Sequence, residues 1–369
     1  MVHVTIDPGQ LRDVLERGGP VTVLDIRTAE DRAEWAIPGS VHVDAYESLK
    51  AGGPSALDEV DLPRDRPVVT VCGLGKTAAL ATDRLWARGY DARTLTGGMR
   101  AWSLAWNTAE VAVPGSAARV LQVRRTGKGC LSYLVGAAGQ AAVIDAALDP
   151  EIYRNLAGER GWAIVAVLDT HIHADHLSRS RQLARLTGAA LYLPAQDRVV
   201  FPCSPLRDGD TLAVGPARLT ALATPGHTPE STTYLLDGRA AFTGDTLSLV
   251  GVGRPDLEAG ADGGWARARA LHRSLRRLLA LPPETLILPG HTGEPVAFDR
   301  RPVAATLARV RARVPALALD EATFVEQVLA RIPPTPPNHA RIVALNEAGE
   351  AYAGDPTELE AGANRCAVP

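Results

Sequence analysis

The stretch THIHADHLS, Thr170 to Ser178, sets three histidines and an aspartate directly behind the apolar run AIVAVLD. Imidazole nitrogens and carboxylate oxygens bind transition metals. A loop leaving the end of a buried strand gives such ligands a rigid origin. A single histidine is more often a surface or hydrogen-bonded core residue than a ligand. Here three more candidates follow, each on a glycine-containing turn after an apolar run: His227 in TPGHTPES, Asp245 in FTGDTL and His291 in LILPGHT. Turns at strand ends can meet in one cleft, so His171, His173, Asp175, His176, His227, Asp245 and His291 form one candidate metal constellation.

A second chemical candidate is Cys72, which ends the run PVVTV and opens the loop Cys72, Gly73, Leu74, Gly75, Lys76, Thr77 ahead of a helix-like segment. Loop N–H groups and the positive end of a helix dipole favour a thiolate, with Lys76 as a nearby cation. The same cradle suits a persulfide or a thiosulfate-like anion. Taken alone, a cysteine after a strand is more often a small buried hydrophobe. Cys130 follows a glycine-rich turn and either faces the cleft or, the commoner outcome, is simply buried; Cys203 and Cys366 carry no functional expectation. Arg254 in GRPDL either binds a substrate carboxylate or pairs with Asp256.

These residues need elements to hold them. The first hundred positions alternate β-branched runs (VTVLDI, PVVTV) with helix-like segments closing on glycine, the pattern of an α/β domain with a parallel sheet. From Asn107 to Ala118 periodicity lapses around Pro114 and Gly115, which reads as a linker. The closely spaced strand candidates RVLQVRR, LSYLVG and QAAVIDA then open a second domain. Further on, DEATFVEQVLARI puts Phe324, Val325, Val328, Leu329 and Ile332 on one stripe behind Asp320 as N-cap. The last dozen residues read as a loose tail. The expected division is a first domain at 1–106, a linker at 107–118, a second domain with a helical extension at 119–355 and a tail at 356–369.

A chain of 369 residues, 46% hydrophobic and 22% charged, has enough apolar content for two globular cores. Its net charge of -3 gives no long-range pull toward nucleic acid or anionic membranes. MVHVTIDPGQ lacks the basic start and apolar core of a signal peptide, and no run is long enough to span a bilayer, which implies a cytoplasmic protein. Four scattered cysteines form no CxxC pair, so neither a disulfide framework nor a cysteine zinc site is expected.

The ordered set HxHxDH, GH, GD, GH resembles the metallo-β-lactamase superfamily from Val120 to Val296. That resemblance implies a four-layer αββα sandwich with a metal cleft at its loop edge. Within the superfamily, dinuclear zinc hydrolases of the glyoxalase II type would use His171, His173 and His227 on one metal and Asp175, His176 and His291 on the other, with Asp245 bridging. Persulfide dioxygenases bind one Fe(II) per chain through the residues that match His171, His227 and Asp245. In that branch His173, Asp175, His176 and His291 would support the ligands. GKGCLSYLVG, VIDA, GDTLSLVGVGRPDL and PPNHARIVALN resemble this second branch, although VIDA departs at Ala146, where proline is expected.

Around Cys72, the segments LDIR, IPGSVHV and LTGGMRAW resemble the rhodanese family, whose cysteine between strand and helix carries sulfane sulfur. The six-residue loop has the length of sulfur-transferring members. Gly73 stands where arginine is frequent, which makes thiosulfate a weaker donor. Asp25 and Arg27 read as a structural pair, and Trp102 as core. Together the resemblances imply oxidation of glutathione persulfide, or another thiol persulfide, by O2 to sulfite and free thiol, coupled to sulfur transfer involving sulfite and thiosulfate. Related chains self-associate, which leaves a homo-oligomer open.

Overall fold

In the first domain five short strands pair in parallel, in the order Thr5–Ile6, Ala92–Leu95, Val68–Val71, Thr22–Asp25, Val41–His42. The chain is described here by a computed structural model covering residues 4–257 and 259–368. Every side chain of the central strand Val68–Val71 is buried, as a parallel strand covered on both faces requires. The Asp25–Arg27 pair expected from LDIR is formed: the guanidinium lies 2.7 Å from the carboxylate and also donates to the Trp35 carbonyl. Trp102 is fully buried in the same domain's core.

Two sheets make the second domain. A seven-stranded sheet runs from Ser204–Leu206 at one edge to Asn107–Val111 at the other, and a six-stranded sheet runs from Thr211–Val214 to Ala305–Thr306. Val120, Tyr133 and Ile144 from the first meet Leu219, Tyr234 and Phe242 from the second in one apolar layer. Outside the first sheet lie the helices Pro150–Gly158 and Ser180–Thr187; outside the second lie Gly260–Leu279 and Glu321–Ala330. The result is the αββα sandwich. Asp320 caps the last helix by accepting the Thr323 N–H, and Phe324, Val325 and Val328 are buried against Leu271, Leu275 and Leu278.

Two boundaries differ from expectation. Asn107–Val111 is not linker but an edge strand, antiparallel to Arg119–Arg124. Its alternation is real, with Asn107, Ala109 and Val111 facing inward. A polar residue at the first inward position hides the pattern, because Asn107 accepts a hydrogen bond from the buried Arg124 at 2.7 Å. Pro114 and Gly115 mark the turn between the two strands.

The second difference is larger. Residues read as a loose tail form the helix Thr357–Glu360 and the strand Ala367–Val368, which pairs antiparallel with Val252–Gly253; Pro369 lies outside the described residues. Glu360 fixes this segment from the inside. Its buried carboxylate stands 2.7 Å from Arg125 and 3.1 Å from Arg179, and accepts the Leu177 N–H at 2.9 Å. Arg365 reaches back to Glu34 of the first domain at 2.7 Å.

The two domains meet at the turn before Cys130. Trp35 donates to the Thr126 carbonyl at 3.2 Å and Arg125 to the Ser103 carbonyl at 2.7 Å. Gly127 has no room for a side chain, since a Cβ there would lie 1.9 Å from the Trp102 carbonyl oxygen.

Candidate active site

Four loops leave one edge of the sandwich and bring the metal candidates together. The HxHxDH loop follows strand Ala163–Leu168, His227 follows Ala217–Ala223, Asp245 follows Ala240–Gly244, and His291 follows Leu286–Pro289. The last two strands are parallel neighbours, with Gly244 opposite Pro289, so Asp245 and His291 emerge side by side. All seven predicted side chains are buried.

They divide into groups. His171, His227 and Asp245 form one, with ligand atoms all within 4.8 Å of one another; Asp175, His176 and His291 form another, joined by Cys130. His173 belongs to neither and instead lies with Asp145 and Asp169. Asp245 Oδ2 stands 3.7 Å from His171 Nε2 and 3.6 Å from His227 Nε2.

The supporting bonds leave definite atoms free. Nδ1 of His227 is held by the Arg254 carbonyl and Nδ1 of His171 by Thr170 Oγ1, both at 2.9 Å, so each presents Nε2 to the cleft. His173 turns its Nε2 to Asp145 at 3.2 Å. Asp145 also accepts the Thr170 N–H at 2.7 Å, which makes it the organiser of the whole loop. Its backbone sits at a φ of 55°, a conformation that an aspartate adopts more readily than most residues. His171 Nε2, His176 Nε2 and Asp245 Oδ2 are buried with no hydrogen-bond partner. Each such orphan costs about 1–3 kcal/mol unless something binds it. Several orphaned donor atoms around one small space fit a cation.

Electrostatics agree. Burial alone would raise the Asp245 carboxyl, but His291, His171 and His227 hold it well below the ordinary carboxylate range. Burial, with His173 beside it, keeps His171 neutral and therefore a competent ligand. At Cys130, burial and Asp175 push the thiol up, yet His176 and His291 outweigh them and bring it to about 6. Cys130 is thus both buried and part of the cleft, its Sγ 3.5 Å from Asp175 Oδ2.

The GVGRPDL segment acts through its backbone. A Cβ on Gly253 would lie 2.4 Å from the Asp245 carbonyl oxygen and 2.9 Å from the His227 Cβ, so only glycine lets the chain pass between two ligands. Arg254, one candidate for a substrate carboxylate, is wholly buried. It grips Asp256 through Nε and Nη2 at 2.8 Å each and donates Nη1 to the Pro334 and Arg365 carbonyls. The pairing reading holds.

One group was not anticipated. Asn364 donates to Asp175 Oδ2 at 3.0 Å, and Cys366 joins Asp245 and His291 in a fourth cluster of ligand-type atoms within 4.8 Å. A cavity of about 500 Å³ opens between this segment and the loops 248–251 and 292–303, reaching Asp245 and His291.

The thiol site of the first domain is built differently. Cys72 lies at the end of strand Val68–Val71, and its Sγ accepts the N–H of Gly75 at 3.2 Å and of Ala78 at 3.3 Å. Gly75, at a φ of 85°, turns the loop into helix Lys76–Ala87, with Lys76 exposed, Leu74 half exposed and Thr77 buried. The GG of LTGGMRAW lies beneath. A Cβ on Gly98 would sit 2.2 Å from the Cys72 carbonyl oxygen, while Met99 donates its N–H to that oxygen and Arg100 to the Gly73 carbonyl.

Sandwich, ligand loops and cysteine loop together define an enzyme of the metallo-β-lactamase superfamily with a rhodanese-like domain ahead of it. The metallo-beta-lactamase superfamily model matches residues 125–291 and the rhodanese-like domain model residues 7–105. A probable metallo-hydrolase of Burkholderia pseudomallei is 34% identical over 209 residues, 45% of this chain and 69% of that protein; the chain belongs to the metallo-β-lactamase superfamily. Its relatives also include a hydroxyacylglutathione hydrolase of Methylobacterium, 37% identical over 158 residues, 42% of this chain. The match spans 58% of that hydrolase's length. Among solved structures, ETHE1 from Myxococcus xanthus aligns with a TM-score of 0.52 and 30% identity, covering 66% of this chain and 99% of that one. A metallo-beta-lactamase from Staphylococcus aureus aligns with a TM-score of 0.58 and 28% identity, covering 64% and 74%. Among the described residues no helix is long and apolar enough to cross a membrane.

Proposed function

We propose that the protein is a cytoplasmic persulfide dioxygenase that oxidises glutathione persulfide, or another low-molecular-weight thiol persulfide, with O2. The balanced reaction is RSSH + O2 + H2O giving RSH, sulfite and two protons. The observation that supports this reading is the grouping of His171, His227 and Asp245, whose ligand atoms all lie within 4.8 Å of one another, while His173 gives its Nε2 to Asp145. Two histidines and one carboxylate are the facial triad of non-haem iron sites. Fe(II) held there would supply redox chemistry and open positions for a sulfur anion and O2, which zinc does not. Likeness to ETHE1 from Myxococcus xanthus supports it, as does a rhodanese-like domain on the same chain.

In this reading the residues have separate tasks. His227 and His171 present Nε2 because Arg254 and Thr170 occupy their Nδ1 atoms. Asp145 occupies Nε2 of His173 and so fixes the orientation of that ring beside His171. Asp175, His176 and His291 order the wall facing it and relay protons to the departing thiol. The cavity beside Asp245 and His291 admits the persulfide. In the first domain Cys72 carries sulfane sulfur on Sγ, steadied by the Gly75 and Ala78 N–H groups, and passes it to sulfite to give thiosulfate.

A second reading has its own support. The Cys130, Asp175, His176, His291 group could hold another cation, and hydroxyacylglutathione hydrolases are relatives, so a two-zinc thioester hydrolase is the competing activity. One experiment separates them: elemental analysis of protein purified without added metal, with O2 uptake on glutathione persulfide measured on the same sample. About one iron per chain with persulfide-dependent uptake is the expected result. Two zincs, thioester hydrolysis and no uptake would replace this function with the hydrolase.

A further inference from the structure

Lys128 is 4% exposed, a degree of burial that lysine seldom shows without a charge partner. The turn that carries it is held by the first domain. Trp35 donates to the Thr126 carbonyl, Gly127 donates its N–H to the Ala105 carbonyl at 3.2 Å, and the N–H groups of Lys128 and Gly129 both close on the Arg125 carbonyl. From this turn the side chain brings its Nζ to 3.8 Å from Asp175 Oδ2 in the metal cleft. Two further carboxylates, Glu34 and Glu360, line the cavity of about 210 Å³ that Lys128 shares with Asp175. Both are already answered, Glu34 by Arg365 and Glu360 by Arg125 and Arg179.

Asp175 is also the carboxylate on which a second metal would depend, and its state differs from that of Asp245. Asp245 keeps Oδ2 without a hydrogen-bond partner. Neither oxygen of Asp175 is left in that way. Oδ1 stands 2.9 Å from His176 Nδ1, and Oδ2 accepts from Asn364 at 3.0 Å, with His291 Nε2 at 3.0 Å and Cys130 Sγ at 3.5 Å. A divalent ion seated on Asp175 would have to break into this set beside a buried ammonium, and like charges repel strongly where water is excluded.

We propose that Lys128 is the residue that limits this cleft to one metal. Its ammonium brings to Asp175, from within the chain, the positive charge that a second cation would otherwise supply. The first domain sets it there through the Trp35 and Ala105 contacts. The inference rests on the one-metal reading of the cleft and names the residue that enforces it. With the ammonium removed, the buried Asp175 carboxylate lacks a cationic partner, and the group of Cys130, Asp175, His176 and His291 becomes a better host for a divalent ion.

The test is a Zn2+ titration of full-length, chelator-treated protein against a chromophoric chelator that competes for the metal. The unsubstituted chain should take one zinc tightly. In Lys128→Met and in Lys128→Gln the first zinc should be kept, which shows the triad intact, and a second should bind about 10–100-fold more tightly than in the unsubstituted chain. Lys128→Arg keeps the charge and should stay at one. A second affinity unchanged in both neutral variants overturns the proposal and leaves the one-metal reading standing. So does a second zinc gained equally by Lys128→Arg, which would make the shape of the side chain, not its charge, the controlling feature. Two tight zincs in the unsubstituted chain overturn both the proposal and the one-metal reading on which it rests.

Discussion

Cys72 and the metal cleft are opposite kinds of construction. At Cys72 nearly everything is local. One strand, one six-residue loop and the first turn of one helix supply the thiol and both N–H donors, with only the Gly97–Gly98 turn brought from elsewhere. The metal cleft is assembled from four loops on two sheets, closed by a segment arriving from the far end of the sequence. Backbone donors survive every substitution except proline, whereas side-chain ligands are lost with the side chain. A local cradle therefore tolerates change around it, while the cleft depends on many distant residues being right at once.

Single substitutions should separate the two sites. In the persulfide dioxygenase reading Asp245→Ala removes a ligand, and metal affinity with O2 uptake should fall by more than the roughly 10–100-fold that loss of a ligand's supporting partner costs, while thiosulfate formation at Cys72 from supplied persulfide and sulfite continues. Elemental analysis and an oxygen electrode read the first, thiosulfate assay the second. Full uptake in this variant would rule the triad out. Cys72→Ser gives the mirror image, with thiosulfate formation down to background because the sulfur-carrying nucleophile is gone, and uptake kept. Loss of both activities would mean that the sites are not independent.

The closing segment offers a third test. Replacing Glu360 by Gln leaves Arg125 buried without its charge partner, and breaking such a pair costs about 3–5 kcal/mol. Denaturant unfolding should register that loss. Burial alone would raise the Glu360 carboxyl, but Arg125 and Arg179 bring it below its ordinary 4.5. The folded protein thus holds this proton less readily than the unfolded chain. The pair's stabilisation is complete above about 4.5 and is lost as pH falls toward the folded value. Glu360→Gln should flatten that acid limb; an unchanged limb would place the acid sensitivity elsewhere.

The smallest effect is expected at Asp145→Asn. It keeps the shape but weakens the hold on His173 and Thr170, and metal affinity should drop by about 10–100-fold. Competition with a chelator measures it. An unchanged affinity would leave Asp145 a structural residue of the loop.

The same contrast explains what the sequence made legible. Each metal candidate sits on a loop behind an apolar run, three of them on glycine-containing turns, so the strand end and the ligand are read together; the parallel sheet of the first domain follows from its own runs, and the αββα sandwich from the resemblance those ligand motifs carry. Asp145 was visible in VIDA but its task was not, because its partners Thr170 and His173 come from a different loop. Asn107–Val111 was taken for linker because its inward Asn107 answers an arginine that no local pattern announces. Glu360, Asn364 and Cys366 carried no signal at all. Their partners, from Arg125 to His291, are far away in sequence, and a short polar segment with one cysteine has no periodicity to betray it.

Synthesis runs in one direction, and this gives the closing segment a place in time. All the ligand loops, from His171 to His291, leave the ribosome before residues 364–368 exist. Domains fold as they emerge, so a growing chain can display its cluster of imidazoles and carboxylates with one side of the cleft still missing. Translation of the stretch between His291 and Asn364 sets an interval during which the cluster is at its most accessible. The last strand then ends that interval by pairing with Val252–Gly253.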